Sequence, residues 1–141
     1  MTIITVKEGV IAADSLVLDG TAVVGGVMKV AVVPGDLGGG FVGFSGDLAE
    51  SATAIKQVTT TGECEHSERV SSIWLKPNGD VFINEGDGFY FTDAPFHAIG
   101  SGFEVALGAM CFGASAREAV DVACKLDVRC GGDVRAFSIL P

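Results

Sequence analysis

Thr2 stands directly behind the start methionine, and Asp14 ends the hydrophobic, β-branched run "TIITVKEGVIAAD". A chain tip is usually frayed and free to vary, so a hydroxyl placed there asks for a reason. A hairpin supplies one. Residues 2 to 6 and 10 to 15 read as two strands around Lys7-Glu8-Gly9, a three-residue connection whose glycine can take the left-handed conformation. That register sets Val6 opposite Val10 and, counting back, Thr2 opposite Asp14, and directly opposed residues share a face. The other groups capable of chemistry are four cysteines and two histidines. An enzyme using Cys130 or Cys64 with His66 or His97 is one alternative. Cys64 lies in "ECEH", read as an exposed acidic segment, and two metal ligands at that spacing carry little specificity.

The rest of the composition limits what such a site can serve. Acidic residues outnumber basic ones 18 to 9, a net charge of -9 that repels a phosphate backbone, so nucleic acid is excluded as a partner. Apolar runs of about four to six residues fall far short of the ~20 needed to span a membrane. No basic stretch precedes an apolar core with a cleavage site, so a secretory signal is not expected and the cytoplasm is the default compartment. The cysteines at 64, 111, 124 and 130 form no C-x-x-C pair and read as reduced thiols, with Cys111 and Cys124 expected to be buried in apolar helical patterns. The length of 141 residues suits one domain spanning 1–141.

Around the hairpin, the elements follow from pattern. Residues 16 to 24 read as one extended stretch, and "VMKVAVVPGDLGGGFVGFSG" as two strands joined by the glycine loop at 34 to 40. "DLAESATAIKQ" opens a helix with Asp47 at its amino end and Leu48, Ala52 and Ile55 on one face; 59 to 69 reads as loop. "SSIWLKPNGDVFIN" is a hairpin turning at Pro77 to Asp80, and a further strand ends in "HAIGSG". A helix from Glu104 to Cys111 precedes a capping box, Ser115 to Glu118, that opens another helix to about Leu126, and "DVRAFSIL" is a strand. This order predicts an α+β protein with helices packed outside antiparallel sheets.

"GVIAADS", Lys29 in "VMKV", "GFSGD", "AIGSG" and "DVRCGG" together resemble, in order, the active-site segments of proteasome β-type subunits and the bacterial HslV peptidase. The likeness covers nearly the whole chain and is closest to short members that begin Met-Thr without a propeptide. It implies the amino-terminal-nucleophile (Ntn) hydrolase fold, a four-layer αββα sandwich of two antiparallel sheets between helices. It also implies a threonine peptidase that cleaves unfolded polypeptide, a homo-oligomeric ring, and an ATP-dependent unfoldase as partner. No metal or organic cofactor is required by that chemistry. A threonine hydroxyl is a poor nucleophile, and its own α-amine, with a pKa of about 7.7–8.0, is a base near working pH once Met1 is removed.

Carried over residue by residue, the resemblance makes Thr2 the nucleophile, Asp14 the carboxylate beside it and Lys29 the cation favouring its deprotonated form. Gly46 supplies the oxyanion-hole N–H, while Ser101 and Asp127 hold the amine and its water; Ser101 could equally cap the helix before Glu104. Cys130 replaces the usual serine or threonine near the amine, and since a thiol is the weaker hydrogen-bonding group, amine orientation is expected to be looser. Ile3 stands where many relatives have a second threonine. Some twenty residues separate the helix at 47 from the hairpin at 73, where relatives fit two long helices, so ring contacts are expected to differ. The alternative of another class is a non-catalytic, self-assembling structural protein that keeps the sandwich for its rings.

Overall fold

The computed structural model describes residues 2–19 and 22–140. In chain order they form β1 (Ile3–Lys7), β2 (Val10–Ala13), β3 (Leu16–Asp19), β4 (Ala22–Gly26), β5 (Val30–Val32) and, after a short 3-10 turn at Gly35–Leu37, β6 (Phe41–Gly46). Then come α1 (Leu48–Thr61), β7 (Val70–Leu75), β8 (Val81–Asn84), β9 (Phe89–Thr92) and β10 (Phe96–Gly100). The chain closes with α2 (Phe103–Cys111), α3 (Ala116–Leu126) and β11 (Arg135–Ser138). One antiparallel sheet has the order β10-β1-β2-β11 and the other β5-β6-β7-β8-β9, with β3 and β4 as a separate ribbon.

Strand alternation turns these sheets into layers. Along β1, Ile3 joins Ala106, Met110 and Val120 beneath α2 and α3, and Thr5 donates its hydroxyl to the Ala116 carbonyl on the same side. Ile4 and Val6 point the other way, into a core shared with Ile73 and Leu75 of the second sheet. On that sheet's far side Val42, Phe44 and Trp74 pack against Ala54 and Val58 of α1. Three cores separate four layers, helix, sheet, sheet and helices, which is the αββα sandwich expected from the resemblance. Small residues let the layers close: Gly43 faces Ile4, and a Cβ at Gly43 would come within 2.9 Å of two Ile4 methyl carbons. No helix among the described residues is long and apolar enough to cross a membrane.

The amino-terminal hairpin forms, in a different register. Val6 pairs with Ile11 and Lys7 with Val10, because the loop is only Glu8-Gly9, with φ of +51° and +76°. Two-residue loops with both residues at positive φ match the strand twist best, and that preference overrides the three-residue reading. Ile3, not Thr2, therefore stands opposite Asp14, whose N–H donates to the Ile3 carbonyl. The stretch 16 to 24 is likewise not one strand but parts of two paired ones, β3 ending at Asp19 and β4 beginning at Ala22.

Asp47 caps α1 by accepting the Glu50 N–H at 2.8 Å, as expected. The helix runs to Thr61, into the segment read as loop, because Thr59, Thr60 and Thr61 turn their hydroxyls back onto the carbonyls of Ile55, Lys56 and Gln57. Its buried stripe is Ser51, Ala54 and Val58, so the shared face of Leu48, Ala52 and Ile55 is left to line a cavity. β9 was not anticipated by pattern. The capping box at Ser115 and Glu118 is present in both halves.

Close contact of the sheets at Gly43 has a measurable consequence. Gly43→Ala is expected to lower stability by about 1–3 kcal/mol through overpacking. Gly108→Ala, in the α2 interior with nothing within 4 Å of the added carbon, should raise it by roughly 0.5–1 kcal/mol. Urea unfolding of both variants checks the pair of signs.

Candidate active site

Asp14 follows β2 and is 1% exposed, a position no carboxylate occupies without donors. It has three. Its Oδ1 accepts from the Ile3 N–H and the Lys29 ammonium, each at 3.0 Å, and its Oδ2 accepts from the Gly131 N–H at 3.2 Å. Lys29 is itself buried, and its carbonyl accepts the Phe44 N–H at 2.9 Å, so the cation is positioned by the edge of β5 and β6. The amino-terminal strand, the Asp14 carboxylate, the Lys29 ammonium and the loop at Gly131 are thus tied in one knot of charge-assisted bonds.

Thr2 lies just ahead of β1 and is 6% exposed. It lines one cavity together with Lys29, Gly46 and Phe44, with Met28 and Leu48 toward the rim. The hairpin register places Thr2 beside Ser15 and on the face away from Ile3, so Thr2 and Asp14 are not cross-strand partners; Lys29 links them by touching Asp14 and sharing the Thr2 cavity. Gly46 ends β6 with φ of +124°, and a Cβ there would lie 2.2 Å from the Arg69 carbonyl, so only glycine fits. The Asp47 N–H donates to Arg69 on the β7 side and the Phe44 N–H to Lys29 on the β5 side. Strand alternation therefore directs the Gly46 N–H to the β5 side, where the Thr2 cavity opens beside the amino end of α1.

From the other side, the Ser101 hydroxyl donates to the Thr2 carbonyl at 3.4 Å and lies 3.4 Å from the Cys130 thiol. Gly102 takes the cap position of α2, so Ser101 is not that helix's cap. The Cys130 thiol is buried and pushed down to about 7, chiefly by the hydrogen bond from Cys124, against a burial effect that raises it. The same bond, with burial, pushes the Cys124 thiol up. Asp127 stands one step back: its carboxylate is gripped by Arg129 at 2.9 and 3.1 Å, which holds it below the usual carboxylate range, and its carbonyl accepts the Cys130 N–H.

The other thiols differ from expectation. Cys64 is buried, and burial pushes its thiol up to about 11 despite a hydrogen bond to Ser72. The His66 ring is occupied by the Ser67 carbonyl and the Ser72 hydroxyl, and His97 lies buried in β10, where burial lowers its pKa. Cys111 is exposed at the last turn of α2, next to Phe112 at 96% exposed, and Cys124 in α3 is half-buried at the edge of the core under these helices. Among the described residues no group of three metal-binding side chains exists. Pattern missed Gly131, which offers only a backbone N–H, and Ser51, whose hydroxyl is buried in the cavity wall.

Two antiparallel sheets between helices, in the order helix, sheet, sheet and helices, have the architecture of the Ntn-hydrolase fold. Solved structures place the chain there. BPH from Thiobacillus denitrificans superimposes with a TM-score of 0.75 at 21% identity, covering 99% of this chain and 98% of that one. The same protein in complex with epoxomicin gives 0.74 at 21% identity, over 99% of both chains. HslV from Trypanosoma brucei gives 0.69 at 20% identity, over 98% of this chain and 99% of that one. No family model and no curated protein matches the sequence. The proteasome and HslV type of fold, expected from five short motifs, is the fold of this chain.

The buried pair should be felt in stability. Lys29→Ala strands a buried carboxylate and is expected to cost about 3–5 kcal/mol. Arg69→Ala, removing a partner of Asp47 whose side chain is 68% exposed, should change stability by about 0–1 kcal/mol. Chemical denaturation of the two variants measures the contrast.

Proposed function

We propose that the chain is an amino-terminal threonine peptidase, with Thr2 as nucleophile after removal of Met1, a residue outside the described part of the structure. One observation carries this reading: Thr2, Lys29 and Gly46 line a single cavity while Lys29 is held at 3.0 Å by a buried carboxylate. A nucleophile, a fixed cation and an N–H donor then converge on one carbonyl-sized space.

The neutral α-amine of Thr2 takes the proton from its own hydroxyl as Oγ attacks the substrate carbonyl, and the Gly46 N–H meets the developing oxyanion. Collapse breaks the C–N bond, the ammonium returns its proton to the leaving amine, and a threonyl ester remains. Water, deprotonated by the same amine, attacks the ester; the acyl C–Oγ bond breaks, the ammonium returns its proton to Oγ, and the carboxylic acid leaves with the free hydroxyl and neutral amine restored. The Lys29 cation favours the neutral amine and the alkoxide alike, and Asp14 fixes where that cation sits. Ser101, on the Thr2 carbonyl, orients the residue that carries both base and nucleophile. Asp127 and Cys130 act through Ser101 and the neighbouring loop. The base works only when unprotonated, so turnover falls as pH drops below the amine's pKa.

The same reading takes unfolded polypeptide as substrate and a homo-oligomer as the working form, in the cytoplasm, with an ATP-dependent unfoldase delivering chains. Large exposed apolar residues support assembly: Val23 and Val24 of β4 are 69% and 60% exposed, and Phe112 96%. Light scattering during size exclusion should give several times the 14.4 kDa chain mass; a monomer at micromolar concentration contradicts assembly.

Peptide hydrolysis tests the chemistry. The purified protein is expected to begin at Thr2 by intact mass, and Thr2→Ala to lose turnover with the fold retained. Lys29→Arg should not restore what Lys29→Ala removes, because a planar guanidinium does not replace a point-like ammonium in this space. Turnover by Thr2→Ala equal to the parent, or Met1 kept on nearly all molecules, contradicts the assignment.

A further inference from the structure

Ser51 is 7% exposed and its hydroxyl has no hydrogen-bond partner among the described residues. Buried hydroxyls are nearly always bonded, since desolvation without a partner is unfavourable. Ser51 also sits in the wall of the Thr2 cavity. Exposure grades that wall: Leu48 and Met28 at 49% and 43% form the rim, and Ser51 with Phe44 at 2% forms the floor. The lining other than Thr2, Lys29 and Ser51 is apolar carbon and glycine.

The cavity holds about 50 Å³. One water occupies roughly 10–15 Å³ on this measure, so the space accepts about three to five heavy atoms, a side chain the size of valine, threonine or leucine. Lys29 repels a basic side chain, and an acidic one would lose its water against apolar walls. A side chain that enters meets, besides Thr2 and Lys29, the Ser51 hydroxyl, which has no partner among the described residues and can donate or accept.

Resting on the peptidase reading, and taking the cavity beside Thr2 as the place where the side chain on the acyl side of the cleaved bond enters, we infer that Ser51 is a specificity-determining residue. It selects short, uncharged side chains that carry a hydroxyl on an apolar stem, threonine over its isostere valine. A hydrophobic pocket without such a group discriminates weakly between these two, whereas an unmatched polar group in the wall penalises the analogue that cannot bond it. One neutral hydrogen bond corresponds to roughly tenfold.

The experiment uses two peptides differing only in threonine or valine at that position, with kcat/KM measured on the full chain and on Ser51→Ala. The threonine peptide is expected to be preferred roughly tenfold by the parent, with the ratio falling to about one in Ser51→Ala. That variant should be no less stable than the parent, since it removes a hydroxyl without a partner. Equal rates on the parent, or a preference that survives in Ser51→Ala, overturns the inference. Absence of hydrolysis for both peptides would count against the peptidase reading instead. Calorimetric binding of the same peptides to the Thr2→Ala chain, with and without Ser51→Ala, then decides: tighter threonine binding that Ser51→Ala abolishes supports the assignment, and equal binding or none overturns it.

Discussion

A carboxylate 1% exposed must either gather donors or give up its charge, and Asp14 gathers three. Each donor comes from a different part of the chain: the Ile3 N–H from the first strand, the Lys29 ammonium from the entry to the second sheet, the Gly131 N–H from the loop after α3. The charge pair therefore pins the amino terminus, both sheets and the carboxy-terminal loop to one point. Burial of an ion pair is rarely the best way to gain stability, since well-packed apolar residues do as well or better. Its use here is positional: it holds an ammonium beside Thr2 at a place that apolar packing alone could not charge.

The layers around that point serve the same end. Ile4 and Gly43 let the sheets approach closely, which brings the β5–β6 edge, with Lys29 and Gly46, alongside the start of β1. At Gly100 a Cβ would lie 2.0 Å from the Thr2 carbonyl, so β10 can press against the chain tip only with glycine there. Ser101 then takes that carbonyl by its hydroxyl. β1 is held by main-chain pairing on two sides, and Thr2 just ahead of it by a side-chain bond to its carbonyl. That restraint fixes the position of Thr2 relative to Lys29 and Ser101.

Much of this was legible in the sequence because it rests on local chemistry. Asp47 ahead of a helical pattern and Ser115 three before Glu118 declare helix starts by the donors they satisfy. The order of the Asp14, Lys29, Gly46, Ser101 and Asp127 segments carried the fold through resemblance. The hairpin register was not legible: Lys7-Glu8-Gly9 fits a three-residue loop as well as a two-residue one, and only Glu8 at positive φ separates them. A slip of one residue moves every side chain to the other face, so the pattern gives Thr2 the wrong cross-strand partner, while the expected ion pair of Asp14 with Lys29 is present. Thiol burial failed for a related reason. Cys111 sits in an apolar pattern, yet it is exposed at the end of α2 beside exposed Phe112; Cys64 sits among acids, yet its side chain packs in the core with Ala54 and Val58 of α1. Ser51 was invisible because a serine one turn from Asp47 looks like ordinary helix surface until the cavity behind it is seen.

The central claim, that the Thr2 hydroxyl is the acyl acceptor and its own amine the base, is tested most directly by trapping the ester. Rapid acid quench of the full chain mixed with an activated peptide ester, followed by peptide-level mass spectrometry, locates the acyl group. The account predicts one acyl group, on an amino-terminal peptide that begins with Thr2 and carries the added mass on that residue, and no such adduct on Thr2→Ala. An acyl group on Cys130 or another thiol, or on a peptide that still carries Met1, would contradict it.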